Sequence, residues 1–237
     1  MITFNGVSLE QVAPVRIVDV RVSPIQMTAQ ARQRPIAWGA DFVRLGGGNR
    51  TVAIEFAVLT MDRAKRMDEL AAVVKWARTD EPKKLTISER RGQYLECICT
   101  SLPEPSLRQW WESKLRIVFT TFDNPYWTSN AEKSIACGTA FNALGDAPPL
   151  MRIERTLSSA TTATQTYSNG SQSMAFSQLP AGNLVIDINK QLATVTSGTT
   201  VTNVIQYYTF GSTFLEPKNG SQTISGTGTV YWRERWS

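Results

Sequence analysis

From Thr51 to Val58 apolar and polar positions alternate. Val52, Ile54, Phe56 and Val58 fall on one face, and Thr51, Ala53, Glu55 and Ala57 on the other. That period predicts a strand with one buried face. Val15 to Val22 reads the same way, with Val18, Val20 and Val22 on one face and Asp19 and Arg21 on the other. Lys84 to Ser88, Tyr94 to Ser101 and Lys114 to Phe122 add three strands, the first two joined at Arg90-Arg91-Gly92, and Leu115, Ile117 and Phe119 give the third a clean face. Near the start, Asn5-Gly6 between Ile2-Thr3-Phe4 and Val7 is a hairpin signal. Between Asp62 and Arg78 the period changes. Met67, Leu70, Ala71, Val74 and Ala77 recur at helical spacing, Asp62 is the expected N-cap, and Asp80-Glu81-Pro82 ends the element. The first part is therefore an α+β unit, an antiparallel sheet or split barrel plus one helix laid on it.

The pattern changes again at Phe119-Thr120-Thr121-Phe122-Asp123-Asn124-Pro125-Tyr126-Trp127. Asn124-Pro125 starts a turn, and Tyr126 and Trp127 beside it are expected to bury and pin the strand end. No helical period follows. Leu150 to Glu154 comes after Pro148-Pro149. Leu184 to Ile188 and Leu192 to Thr196 read as a hairpin, Val204 to Phe210 as an aromatic strand, and Thr229 to Trp236 as a last strand with Val230, Trp232 and Trp236 on one face. The run Ser158 to Thr166 suits edges and turns. An all-β second domain, a sandwich or barrel, is expected over 131–237, after a first domain over 1–130.

Residues 23–50 fit neither period. Ala29 to Pro35 is polar and basic, Trp38, Phe42 and Leu45 stand among glycines and charges, and Gly46-Gly47-Gly48-Asn49 closes the stretch. A phosphate loop is excluded, because neither a P-loop nor a dinucleotide glycine pattern is present. A flexible surface loop would expose two large aromatics to no benefit. An arm that docks on a neighbouring chain accounts for both the aromatics and the polar frame. Its candidate interface residues are Arg32, Arg34, Trp38, Phe42 and Arg44.

Composition narrows the chemistry. The 237 residues include no histidine, which removes the commonest base near neutral pH. Three cysteines without C-x-x-C or histidine make neither a zinc site nor a disulfide framework. Cys97 and Cys99 alternate along a strand and are expected to be buried together. No nucleophile–base pair assembles, so no catalytic, metal or cofactor residue is assigned. No run reaches the roughly 18 apolar residues of a membrane helix, and Met1-Ile2-Thr3-Phe4 has no signal-peptide character. The net charge of +5 is spread with both signs interleaved and lies mostly before residue 130. The sequons at Asn49, Asn169 and Asn219 are read as turn chemistry.

The order of these elements resembles the distal tail proteins of long-tailed phages, the tail-tip hub family. The resemblance rests on Phe4-Asn5-Gly6-Val7-Ser8-Leu9, the helix between strands and the Asn124-Pro125-Tyr126-Trp127 turn that ends the first domain. It rests also on Leu179-Pro180-Ala181-Gly182-Asn183, the Asp187 hairpin, the Phe214 to Gly220 turn and the closing Trp232-Arg233-Glu234-Arg235-Trp236. The resemblance implies a homo-oligomeric ring, commonly of six subunits, made by the first domains at the virion tail tip. It implies assembly in the host bacterial cytoplasm and contacts with tail tube, tape-measure, tail-tip hub and receptor-binding proteins. DNA would only pass through the bore, and the second domain would be a galectin-like β-sandwich. No enzyme and no membrane insertion are implied.

A ring also follows from edge protection, since closing heterologous contacts around an axis removes exposed strand edges. A trimer with pseudo-sixfold packing satisfies the same argument. Two other readings compete. One is a carbohydrate-binding sandwich gripping sugar through Tyr231, Trp232 or Trp236. The other is a nucleic-acid platform of Trp110-Trp111 between Arg108 and Lys114, weakened by Glu112 within it.

Overall fold

A computed structural model describes residues 1–33, 40–103 and 114–237, with backbone alone for 27–33 and 40–47. Arg34, Trp38, Arg108 and Trp110-Trp111 lie outside the described residues or, for their side chains, beyond what is described. The chain divides into two compact units, Met1–Trp127 and Thr128–Trp236. Among the described residues, no helix is long and apolar enough to cross a membrane.

In the first unit β1 (Ile2–Phe4) and β2 (Val7–Ser8) are joined by the Asn5-Gly6 turn and followed by the short α1 (Leu9–Val12). Asn5 and Gly6 both have positive φ, 50° and 81°, which an Asn-Gly hairpin turn requires. Then come β3 (Val15–Val22), β4 (Met27–Gln33), β5 (Ala40–Gly47), β6 (Thr51–Val58), α2 (Arg63–Ala77), β7 (Lys83–Ile87), β8 (Gln93–Ser101), β9 (Leu115–Thr120) and β10 (Trp127–Ser129), which runs into the second unit. The pairing is antiparallel throughout: β3–β6–β9–β8 forms one sheet and β8–β7–β1–β2 another. They share β8, whose first half pairs β7 and whose second half pairs β9. The buried faces expected for β6 and β9 are buried, with Val52, Ile54, Phe56, Ile117 and Phe119 sealed from solvent.

Helix α2 starts as its sequence dictates. The Asp62 carboxylate accepts a hydrogen bond from the Lys65 amide at 3.0 Å. Its buried stripe is rotated from the expected one: Arg66, Leu70, Val73 and Ala77 are buried, while Met67 and Ala71 are exposed and Val74 is half-buried. The helix carries apolar residues on more than one side, and Trp76 settles the choice. Its ring meets Phe4 and Phe119 edge-on at 5.7 and 6.0 Å, and its indole N–H donates to the Val7 carbonyl at 3.0 Å. Arg66 is buried at 8% exposure, which a long aliphatic stem permits.

Two strand readings need correction. Val18 does not share a face with Val20 and Val22. Pairing runs Ile17↔Phe56 and then Asp19↔Glu55, so Val18 is the extra residue of a β-bulge. The bulge shifts the alternation, which places Ile17, Val20 and Val22 opposite the buried Phe56, Ile54 and Val52. The thiol pair also splits. Cys97 is buried and Cys99 only half-buried, and both are free. Burial pushes both thiols up, so both stay protonated and unreactive at neutral pH.

The second unit holds β11 (Lys133–Ala136), β12 (Ala140–Ala143), β13 (Ala147–Leu157), β14 (Gln165–Ser168), β15 (Ser173–Phe176), β16 (Gly182–Asp187), β17 (Leu192–Ser197), β18 (Thr200–Asn203), β19 (Gly220–Thr223) and β20 (Thr229–Trp236). One sheet runs β11–β20–β13–β16–β17–β18, and β12–β19 and β14–β15 form two-stranded sheets. Their common core includes Phe141, Ile153, Tyr167, Phe176, Ile186 and Trp232. The β16–β17 hairpin forms as expected. Pro148-Pro149 lies inside β13 rather than before it, at a register shift between Ala147 and Leu150, where a missing N–H is tolerated.

Val204 to Phe210 is not a strand. Ile205–Tyr207 is a 3-10 turn, held by Tyr207 and Tyr208 amides donating to the Val204 and Ile205 carbonyls at 3.0 Å. The turn brings Tyr208 onto Phe214, stacked at 5.0 Å. The Tyr208 hydroxyl is buried without a hydrogen-bond partner among the described residues. Tyr208→Phe removes an unsatisfied polar group and keeps the stacking. It is expected to stabilise the chain by about 1 kcal/mol, read as a higher midpoint in thermal unfolding. A lower midpoint would mean that the hydroxyl has a partner in solution.

Candidate assembly interface

Two features of the first unit stand out as unfinished. The first is the β4–β5 hairpin, which corrects the patternless reading of 23–50. It pairs antiparallel over its length, and among the described residues its two strands form a sheet of their own. Sequence reading missed it because a bulge breaks the alternation. Gln30 pairs Arg44 and Ala31 pairs Phe42, leaving Val43 as the extra residue. Ala29, Ala31, Phe42 and Leu45 thereby occupy one register face, and Gln30, Arg32, Asp41 and Arg44 the other. Of the five expected interface residues, Arg32, Phe42 and Arg44 are in this hairpin. Arg34 and Trp38 lie outside the described residues.

The second is a groove beside β3. Among the described residues β3 pairs only β6, so its other edge is unpaired. Ile17, Val18, Val20 and Val22 of β3 line a groove of about 630 Å³ together with Ile2, Ile87 and Trp127. Asp19, Glu89 and Arg90 supply its charge. Asp19 accepts from Arg21 Nε at 2.6 Å, and this hydrogen bond holds its carboxyl below the usual carboxylate range.

The junction residues behave as small anchors. The Asn124 side-chain oxygen accepts from the Tyr126 amide at 3.3 Å, an Asx turn that the Asn-Pro dipeptide favours. Pro125 is buried, Tyr126 is half-buried, and Trp127 is 1% exposed with the Arg90 guanidinium 5.7 Å over its ring.

In the second unit the aromatics proposed for sugar binding are differently placed. Trp232 is in the core, 4.5 Å from the Phe141 ring, and Tyr231 carries the Arg152 guanidinium 4.5 Å over its ring. Around Tyr231 is a clasp that the sequence does not disclose, because its members are far apart in the chain. Arg152 binds both Glu132 oxygens, at 2.5 and 2.9 Å, and Glu154 at 2.6 Å. Arg233 reaches Glu132 at 3.3 Å and donates to the Ser129 and Asn130 carbonyls. The clasp ties residues 129–132 to β13 and β20.

Arg152 holds the Glu132 carboxyl below its ordinary value of 4.5. The folded chain therefore binds this proton less readily than the unfolded chain. The clasp's contribution is full above about pH 4.5 and is lost as pH falls through the lowered value. The gap in urea midpoint between wild type and Arg152→Met is expected at pH 7 and should close toward pH 3. A gap independent of pH would assign the role of Arg152 to packing alone.

Asn169 also shows why its sequon is turn chemistry. Its side-chain oxygen accepts from the Ser171 amide and hydroxyl and the Gln172 amide, at 3.1, 3.1 and 2.8 Å.

No family model matches the sequence, and no curated protein matches it. Solved structures do. The crystal structure of the SPP1 Dit (gp 19.1) protein, a paradigm of hub adsorption apparatus in Gram-positive infecting phages, aligns over 100% of this chain and 98% of that one, with a TM-score of 0.74 at 12% identity. The phage P2 baseplate in its activated conformation with Ca aligns over 92% of this chain and 89% of that one, with a TM-score of 0.49 at 9% identity. The chain has the fold of a phage distal tail hub protein, mostly antiparallel sheet with one long helix.

Proposed function

We propose that the chain is a structural hub of a long-tailed phage tail tip. Residues 1–130 form a ring, six copies around a channel, that joins the tail tube to the receptor-binding apparatus. Residues 131–237 form a peripheral galectin-like sandwich available to tail-tip and receptor-binding proteins. Tape-measure protein and then DNA pass through the bore, and the ring assembles in the host cytoplasm before becoming part of the virion. The protein works without a cofactor and without catalysis.

The observation that carries this reading is end-to-end agreement with SPP1 Dit in both units, covering 98% of that chain. The β4–β5 hairpin and the outer β3 edge, which pair no further strand among the described residues, support it, because isolated two-stranded hairpins are marginal in water and free edges invite pairing. Arg32, Arg34, Trp38, Phe42 and Arg44 serve the subunit interface in this reading. Native mass measurement with negative-stain imaging tests it. A ring of six chains with a central hole is expected. A compact monomer at every concentration, also in the presence of tail tube protein, would overturn it.

A further inference from the structure

We infer that the outer edge of β18 in the second unit is a two-fold contact, at which two copies of the chain pair their β18 strands antiparallel. The contact is separate from the ring reading above, which concerns the first unit.

β18 ends its sheet. Among the described residues it pairs only β17, from Ser197↔Thr200 to Thr194↔Asn203 without a register shift. No strand covers its outer main-chain groups, and all of its residues are exposed. Free edges are normally protected by a charge, a proline or a bulge. β18 has none of these, and no residue from Gln191 to Leu215 is charged. Another strand of the same sheet, β11, opens instead with Lys133, tied to the buried Glu234 at 2.6 Å. Only its length restrains β18. With four residues it makes a weak contact, seen at high concentration or where several copies are held together.

Self-complementarity points to a second copy as the partner. Thr200-Val201-Thr202 reads alike in both directions. An antiparallel partner about a two-fold axis at Val201 sets Val201 opposite Val201 and Thr200 opposite Thr202, the reciprocity that a two-fold interface demands. Apolar β-branched pairs and Thr–Thr pairs are favourable across strands, and an uncharged edge brings no like charges together at the axis. The register also fixes where Val201 stands. Thr202 is opposite the buried Val195, so Val201, opposite Thr196, is on the other face of the sheet. It is 64% exposed there, and pairing covers it with its own copy.

The full chain with Val201→Lys tests this, because it sets two like charges face to face on the axis. Val201 is an exposed edge residue, so circular dichroism and melting should match wild type. The dissociation constant for pairing, read by sedimentation over a concentration series, is expected to rise about tenfold or more. Where wild type pairs, its particle mass should be at least double that of Val201→Lys, whether the particle is a ring or a single chain. In parallel, Val201→Cys exposed to oxygen should give a disulfide-linked dimer that wild type, with its free Cys97, Cys99 and Cys137, does not give. Asn203→Cys is the register control. Across this axis its two copies stand about 13 Å apart along the strands, beyond the reach of a disulfide, and no dimer is expected. Equal masses for wild type and Val201→Lys, no dimer from Val201→Cys, or an equal dimer from Asn203→Cys would each overturn the pairing. The ring is judged apart from this, by whether the Val201→Lys particle holds six chains.

Discussion

Trp127→Ala is expected to destabilise the first unit by about 3–5 kcal/mol, the cost of emptying a large, well-packed aromatic site. Among the described residues Trp127 is the largest side chain to be fully buried, at 1% exposure. It stands where the chain leaves the unit, directly after the Asx turn that Asn124 makes with the Tyr126 amide. The turn fixes the main chain on one side, and Arg90 covers the ring on the other. Little can collapse into the space, because the ring also forms part of the groove wall beside β3. Hydrogen exchange read by peptide can separate residues 1–127 from the rest. Protection should fall in β1, β3 and β7 before it falls in β13 or β16. Trp127→Phe keeps an aromatic ring and should lose less. A loss under about 1 kcal/mol in Trp127→Ala would mean that the site closes over, and that the junction is softer than its burial indicates.

Excising the hairpin is expected to abolish ring formation while leaving a folded chain. Residues 27–47 would be replaced by Asn-Gly, joining Gln26 to Gly48. The join is short because the two flanks already meet. A Cβ at Gly48 would run into the Gln26 carbonyl oxygen, and the Gln26 amide donates to the Asn49 carbonyl. The β3–β6 pairing on the folded side of this join is independent of the hairpin, from Val22↔Val52 to Val15↔Val58. Melting of the excised chain should therefore stay close to wild type. Its native mass should be that of a monomer where the full chain assembles. Rings of unchanged size would show that the hairpin is not part of the subunit interface.

Much of this fold was legible in local pattern. Strict alternation in β6 and β9 gave both their position and their buried face, since a strand paired on both sides has no freedom to rotate. Asn5-Gly6 and the Asp62 cap were equally readable, because each satisfies a local main-chain requirement. The candidate site was less legible. The residue types of the arm drew notice to Arg32, Phe42 and Arg44, but not to the hairpin that holds them. A single extra residue, Val43 in β5 or Val18 in β3, inverts every later position in a strand. No local signal marks where it will fall.

What the sequence by itself determined, then, is the set of elements whose evidence is periodic or local: the strands of the first sheet, the capped helix, the β16–β17 hairpin, and the lack of histidine chemistry. The tertiary structure alone decided which residues face inward where several choices satisfied the period. Trp76 turned α2 onto Arg66 and Val73 in place of Met67 and Ala71. Phe214 drew Tyr208 out of an expected strand into a turn. Glu132, Arg152 and Arg233 became one clasp only when β13 and β20 came side by side. Each of these was settled by a partner distant in sequence, and the free energy of such a contact exists only once the chain has folded to make it.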